Sequence, residues 1–353
     1  MSEVPKFRPA SVRRVPDAAS ELRLIEIRRE AESRGQVKGA GIRPSGSPFP
    51  IASPETGYYG IPLLKRAPWT WEIPLYFFTG GVAGAAAVVG AIADYTGADR
   101  GLVRDARWIA AAGAVISPAL LIADLGRPSR FLNMLRVFKL QSPMSVGAWT
   151  LVEFASGASA AAFAQFMQER YGPLLPLRVI ENAGQAASLA FGLPFSNYTG
   201  VLIGATAIPV WNESVDELPI HFGMSGLSAA VGMLELMGHR KSRALQWLGF
   251  GAAIFECLEE LRIETHRLAC LDPLRKGGSG AVVRAGGVLS GPLALGLRVL
   301  SFLSRGKQSR ELRKWAAMSA IAGSLITRIG WLYAGNVSAR DWRQALRIPR
   351  SSE

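Results

Sequence analysis

The sequence predicts an all-α integral membrane protein of about eight transmembrane helices, arranged as two four-helix bundles behind an extended polar N-terminal tail. Three observations predict it. Of the 353 residues, 49% belong to the hydrophobic set. From Trp71 onward, apolar stretches recur that are long enough, at roughly 18 residues, to cross a ~30 Å hydrocarbon layer. Polar or basic connectors separate them, and the net charge of +13 sits mainly in those connectors and the tail. There Lys and Arg meet anionic headgroups and oppose translocation, which argues against nucleic acid as the partner of the charge. One apolar stretch alone would fit a core helix or a signal peptide. Eight in series fit neither.

Residues 1–70 form the tail, 71–335 the membrane domain and 336–353 a short basic C-terminal tail. Met1 to Arg66 holds 12 basic and 7 acidic residues and no apolar core with a small-residue cleavage site, so it does not read as a secretory signal. Asp17 to Ala31 offers Leu22, Ile25 and Arg29 on one helical face, and Gly39 to Pro62 reads as extended coil. Such a tail is either disordered or laid along a partner subunit. The spans are expected near 71–92, 108–122, 146–166, 186–210, 220–237, 245–261, 281–302 and 315–333. Gly80, Gly81 and Gly84 suit close helix approach in the first, and Ser156, Gly157 and Ser159 in the third. Pro194, in GLPFSNYTG (192–200), predicts a broken fourth helix, tolerated at membrane depth only where it is buried or lines a cavity.

An even number of spans puts both termini on one side. The connector after span five holds Arg240, Lys241 and Arg243, and that after span seven holds Arg305, Lys307, Arg310, Arg313 and Lys314. Placing these in the cytoplasm leaves the termini outside, in a multi-pass protein of the inner (cytoplasmic) membrane. The connector after span two, with Arg127, Arg130, Arg136 and Lys139, opposes that placement, as does the basic tail.

An ionisable group within a span costs several kcal/mol unless it faces a cavity, a partner or the interface, so each is a candidate. Glu72 opens the first span beside Trp71 and Tyr76, as an interfacial anchor or a functional acid. Asp124 and Arg127, in ADLGRP, either pair with each other or shape a pocket at headgroup depth. Glu153 lies near the middle of span three with no basic residue one turn away, so it needs a donor from another helix or a proton. His221 and Glu235 lie near the two ends of span five. Glu256 shares a helical face with Glu259 and Glu260 in span six, the profile of a proton relay, although the latter two also suit the water boundary beside Arg262. Arg328, deep in span eight, is expected to pair with one of these acids.

Cofactor signatures are few. Cys257 and Cys270 cannot hold an iron–sulfur cluster by the usual four-cysteine arrangement. Of the three histidines only His221 falls inside a span, so no haem with two histidine ligands is expected, and no metal site either. HExxH, GxGxxG and GxxxxGK[ST] patterns do not occur.

Four ordered segments carry a resemblance. WEIPLYFFTGGVAGAA (71–86) resembles the first span of the NrfD/polysulfide reductase membrane-subunit family, and ADLGRPSRFLNMLRVFKLQSPMSVGAW (123–149) its connector between spans two and three. SNYTGVLIGATAIPVW (196–211) resembles the fourth span and LPIHFGMSGLSAAVG (218–232) the fifth, within a resemblance over residues 70–335. It implies an eight-helix subunit without haem or cluster of its own, which exchanges electrons between menaquinone or ubiquinone and an iron–sulfur subunit. A molybdopterin-type catalytic subunit often completes such a complex. The quinone is implied near a polar residue at the start of span one and a tyrosine in span four, positions held here by Glu72 and Tyr198. Some members carry Asn or His where this chain has Glu72; Asp124 and Arg127 match the DLGRP motif directly. Trp71, Tyr76, Phe77, Phe195 and Asn197 would line the ring, with Glu153, Glu235, Glu256, Glu259, Glu260, Arg328 and His221 as the proton path. A transporter-like subunit that moves ions or protons without a quinone is the alternative class.

Overall fold

Stretches rich in alanine, leucine and glycine, opened by proline or a capping serine, have one way to satisfy their backbone in an apolar medium, and that is as helices. The computed structural model bears this out; it describes residues 64–266 and 268–341, together with Glu26, Arg29, Glu30 and Ser33. The chain divides into residues 1–61 and 62–353, and the helices below all belong to the second unit. The expected tail helix over 17–31 lies outside the described residues except at Glu26, Arg29 and Glu30, which are helical, and the coil over 39–62 lies outside them altogether.

Eight long helical segments follow one another: α1 (Glu72–Tyr95), α2 (Arg100–Asp124), α3 (Pro143–Tyr171), α4 (Leu175–Gly204), α5 (Leu218–Leu234, extended by a π-helical turn Glu235–His239), α6 (Arg243–Thr265), α7 (Gly277–Val288, a π-helical turn Leu289–Leu293 and Ala294–Leu303) and α8 (Gly306–Ser338). Among the described residues there is no strand. Ser142 and Ser242 cap α3 and α6 by accepting the backbone N–H of Ser145 and Leu245. Gly172 ends α3 at φ of 89°, and Gly238 lies inside the π turn of α5 at φ of 119°, values that a Cβ would strain. The chain is an all-α, multi-span membrane protein: α1, α2, α4, α5 with its π turn, and α7 are each long and apolar enough to cross a membrane. The other three are also long, at 29, 23 and 33 residues, and carry more polar side chains.

α1 is the central helix. Its apolar window is 78% buried, against 33% for α2, and it packs on α2, α4 and α5. Glycine makes this possible: a Cβ on Gly84 would lie 2.4 Å from the Gly192 carbonyl oxygen, and one on Gly226 would lie 2.8 Å from that of Gly81. Close contact is the main source of helix association where lipid supplies little solvent-driven force. In α3 it is Gly157 that meets α4, while Ser156 and Ser159 are exposed. Large apolar side chains such as Val115, Leu193 and Leu303 cover the outside of the helices, as a lipid-facing surface requires.

Two expectations are corrected. Pro194 does not break its helix; α4 runs through it. Pro194 faces outward beside exposed Leu193, and the Leu193 carbonyl accepts from Ser196 Oγ and Asn197 Nδ2, both at 2.8 Å. The irregular backbone falls instead at the π turns of α5 and α7. The fourth span also begins earlier than expected, at Leu175 rather than Ala186, because the polar residues Arg178, Glu181 and Gln185 lie within the helix.

Candidate functional site

Successive helices run in opposite directions, which sorts the polar groups into two ends and a buried seam. At the first end, where α1 starts and α2 stops, Thr70 stands between two acids. Its hydroxyl donates to Glu72, and it lies 3.4 Å from Asp124 Oδ1, which its backbone N–H also approaches at 3.5 Å. The fold thus brings Glu72 and Asp124 together. Asp124 and Arg127 form no ion pair with each other; Arg127 is exposed, as is Trp71 at 67%.

One turn deeper, Tyr76 and Phe77 of α1 and Phe195 and Tyr198 of α4 are all buried. Phe195 stacks on Phe154 at 4.8 Å between ring centroids, and Phe77 meets Phe222 at 6.2 Å. Tyr198 fits only because residue 147 has no side chain: a Cβ there would lie 1.9 Å from the tyrosine ring and 2.6 Å from its hydroxyl. That hydroxyl is buried beside the Gly147 backbone and donates to no acceptor among the described residues. Asn197 turns away, with its Oδ1 against Gly223.

The seam runs between α5, α6, α7 and α8. Arg328 is fully buried and makes no ion pair among the described residues, contrary to the expectation that it would find a carboxylate. Its guanidinium donates to the Phe77 carbonyl at 3.1 Å, Phe222 carbonyl at 2.9 Å, Ser225 Oγ at 3.1 Å, and both the Ser324 carbonyl (2.9 Å) and hydroxyl (2.5 Å). Gly81 leaves the room, since a Cβ there would lie 2.6 Å from a guanidinium nitrogen. Arg328 therefore ties α1, α5 and α8 together, and Glu256 is the acid whose field reaches it, without contact. Glu256 accepts from Ser290 Oγ at 2.9 Å, its other oxygen being unpartnered. The π turn of α7 presents Ser290 to it.

The three acids of α6 have different neighbours. Glu259 takes Arg262 at 3.3 Å, which also pairs with Glu217 at 2.5 Å, while Glu260 lies against Gly287. His221 joins these groups. It is 3% exposed, both ring nitrogens lack a partner, and it lines two small cavities. One opens toward Glu217, Glu259 and His266 at the first end; the other holds Glu256, Glu260 and Thr327. Each has a volume of about 10 Å³, space for about one water, which the orphan nitrogens would bind.

Below Glu256 the seam is closed. Ala253, Ala294 and Ala320 form a fully buried apolar layer, one helical turn from Ser290 and Glu256 on one side and from Arg298 on the other. There Arg298 and Glu235 form a two-pronged ion pair, both bonds 2.9 Å, with side-chain exposures of 3% and 0%. Glu235→Ala strands this cation in the interior and is expected to cost about 3–5 kcal/mol in thermal or denaturant melts, whereas Glu235→Leu with Arg298→Leu recovers most of it. Glu153 stands apart from everything: it is exposed on the outer face of α3, with no donor from another helix among the described residues.

Sequence reasoning singles out Glu72, Asp124, Tyr198, His221 and Glu256; the fold brings Glu72 beside Asp124 and buries the other three. The same reasoning passed over Arg298, although a lone arginine in LALGLRVL (293–300) was a signal as clear as Arg328. Ser225, Ser290 and Ser324 carried none, since serine is an ordinary packing residue in membrane helices. Among the described residues no group of three or more His, Cys, Asp or Glu side chains is placed to hold a metal ion. Residues 62–245 match the sequence model of a family described as polysulphide reductase, NrfD. No curated protein matches the chain.

Proposed function

The chain belongs to the NrfD, polysulphide reductase, family, and from that premise we propose that it exchanges electrons between a membrane quinone and an iron–sulfur subunit of a respiratory oxidoreductase complex. The reading takes the eight helices as eight spans in two groups of four, with the basic second end (Arg240, Lys241, Arg243, Arg305 and Lys307) in the cytoplasm. The observation that carries it is the Tyr198 hydroxyl, a buried donor without a partner. An unsatisfied hydroxyl at that depth is costly unless something accepts from it, and a quinone carbonyl does so.

Quinone reduction to quinol takes up two electrons and two protons. The electrons come from a cluster held by the partner subunit, docked on the first end. The chain's own residues orient the ring and handle the protons. Tyr198 holds one carbonyl by a hydrogen bond, and the apolar walls of Phe77, Phe195 and Phe154 admit the flat ring. Glu72, Thr70 and Asp124 relay a proton between that site and the aqueous edge, the threonine hydroxyl accepting from one carboxyl as it donates to the other. A photoreactive azidoquinone tests the placement. Labelling of peptides that include Tyr76 or Tyr198, competed by unmodified quinone, is the expected result; labelling confined to the outer faces of the helices sinks it.

The seam from Glu217 through His221 to Glu256 supplies a second proton route, entered from the first end and stopped by the alanine layer. Glu256→Gln is expected to slow any proton movement coupled to turnover in proteoliposomes by about tenfold or more, with bound quinone unchanged. A coupled proton flux equal to that of the wild type removes Glu256 from the path. Proton flux without quinone turnover would favour the transporter-like reading.

A further inference from the structure

At the second end, on the side formed by α2, α3 and α4, lies a cavity of about 750 Å³ that the quinone and proton readings leave unused. Arg107 organises its floor. It is 9% exposed and donates to Asp94 at 3.0 Å, to Glu181, to Gln165 Oε1 at 3.0 Å and to Gln185 Oε1 at 2.9 Å. Because guanidinium only donates, the oxygen of each glutamine must face it, which fixes where the amide nitrogens point. That of Gln185 donates to Asp94 at 2.8 Å. That of Gln165 has nothing: the residue is 7% exposed and lines the cavity, with its Nε2 buried and unpartnered.

Around this floor stand Arg100, Arg104 and Arg178, with Glu169 as the remaining acid. Arg100 and Arg178 have no ion pair among the described residues, and Arg104 holds Asp105 at 3.0 Å. Asp94 and Glu181 are both taken by Arg107 and Asp105 by Arg104, so the cations left to an anionic ligand are Arg100 and Arg178. The N-terminal ends of two long helices, α2 through Arg100 and Gly101 and α4 through Pro173 and Arg178, border the same cavity with their positive ends.

We propose that this cavity binds a phosphate-bearing anion, with a phosphodiester lipid headgroup as the source its place at a membrane-facing helix end favours. Gln165 Nε2 and the Arg100 and Arg178 guanidinium groups are the donors to the phosphate oxygens. The site is independent of the quinone reading.

The full chain, purified in detergent with whatever subunits remain attached, is titrated with dioctanoyl phosphatidylglycerol, dioctanoyl phosphatidylcholine or inorganic phosphate. Native mass spectrometry and the melting temperature are the readouts. Phosphatidylglycerol is expected to bind saturably and raise the melting temperature, phosphatidylcholine not to, and Arg178→Gln or Gln165→Leu to weaken binding about tenfold or more. Arg178 is exposed, so its variant tests the site even if Gln165→Leu folds poorly. A saturable response to inorganic phosphate alone, lost in the same variants, supports the site with free anion as its source. An equal response to phosphatidylcholine, no saturable response to any probe, or one unchanged in Arg178→Gln overturns the proposal.

Discussion

Replacing Arg328 by leucine is expected to prevent the chain from accumulating as a stable membrane protein. The side chain is fully buried and makes five hydrogen bonds to three helices. Buried hydrogen bonds in membrane helices average about 0.6 kcal/mol, so their loss costs on the order of 3 kcal/mol. The Phe77 and Phe222 carbonyls also lose a donor that no water replaces at that depth. A space next to Gly81, shaped for a planar guanidinium, is filled badly by a branched alkyl chain. Arg328→Lys keeps the charge but has no planar fork, so it is expected to recover only part of the loss. Melting temperature and the yield of folded protein read this directly; a leucine variant as stable as the wild type would show that Arg328 does not hold α1, α5 and α8 together.

Tyr198→Phe is expected to act on turnover and leave the fold intact. The ring stays in the slot left by Gly147, and the lost hydroxyl donates to no acceptor among the described residues. Without it the quinone carbonyl loses its donor, and kcat/KM for quinone is expected to fall by roughly 10- to 100-fold, the cost of one hydrogen bond at about 1.5–3 kcal/mol. Glu72→Gln is expected to lower kcat with less effect on KM, since it acts on the proton and not on the ring. Steady-state kinetics with a soluble quinone analogue separate the two. Equal loss of KM and kcat on both substitutions would place the two residues in one role.

Much of the fold was legible because membrane helices announce themselves by length and hydropathy, and the order of the long helical segments follows from that alone. Their ends were not. α2 and α4 begin earlier than hydropathy suggests, since Arg107 and Glu181 bury their charges against each other and so extend apolar helices with polar turns. Pro194 misled for a local reason: side chains of the following turn cover the Leu193 carbonyl, and the helix continues.

The site divides in the same way. Glu72, Asp124 and Tyr198 can be singled out in the sequence because a carboxylate or a tyrosine in a motif can be matched to a position. Partners across helices could not be. Arg328 was expected to seek an acid, yet it is satisfied by backbone carbonyls and two serines, while the acid with an arginine is Glu235, bound to Arg298. Pairing between helices depends on rotation about each axis, which a single sequence does not encode in any local pattern. Glu153, expected to need a donor from another helix or a proton, is turned outward by the fold.

The central claim is that a quinone sits at the first end of the helices against Tyr198. The most direct measurement is the quinone extracted from the purified complex, quantified per chain for wild type and Tyr198→Phe at equal yield of folded protein. Bound quinone in the wild type that falls sharply in the variant, together with slower oxidation of the partner's clusters by added quinone, is the predicted result. Quinone absent from the wild type, or retained in full by the variant with cluster oxidation unchanged, would contradict it.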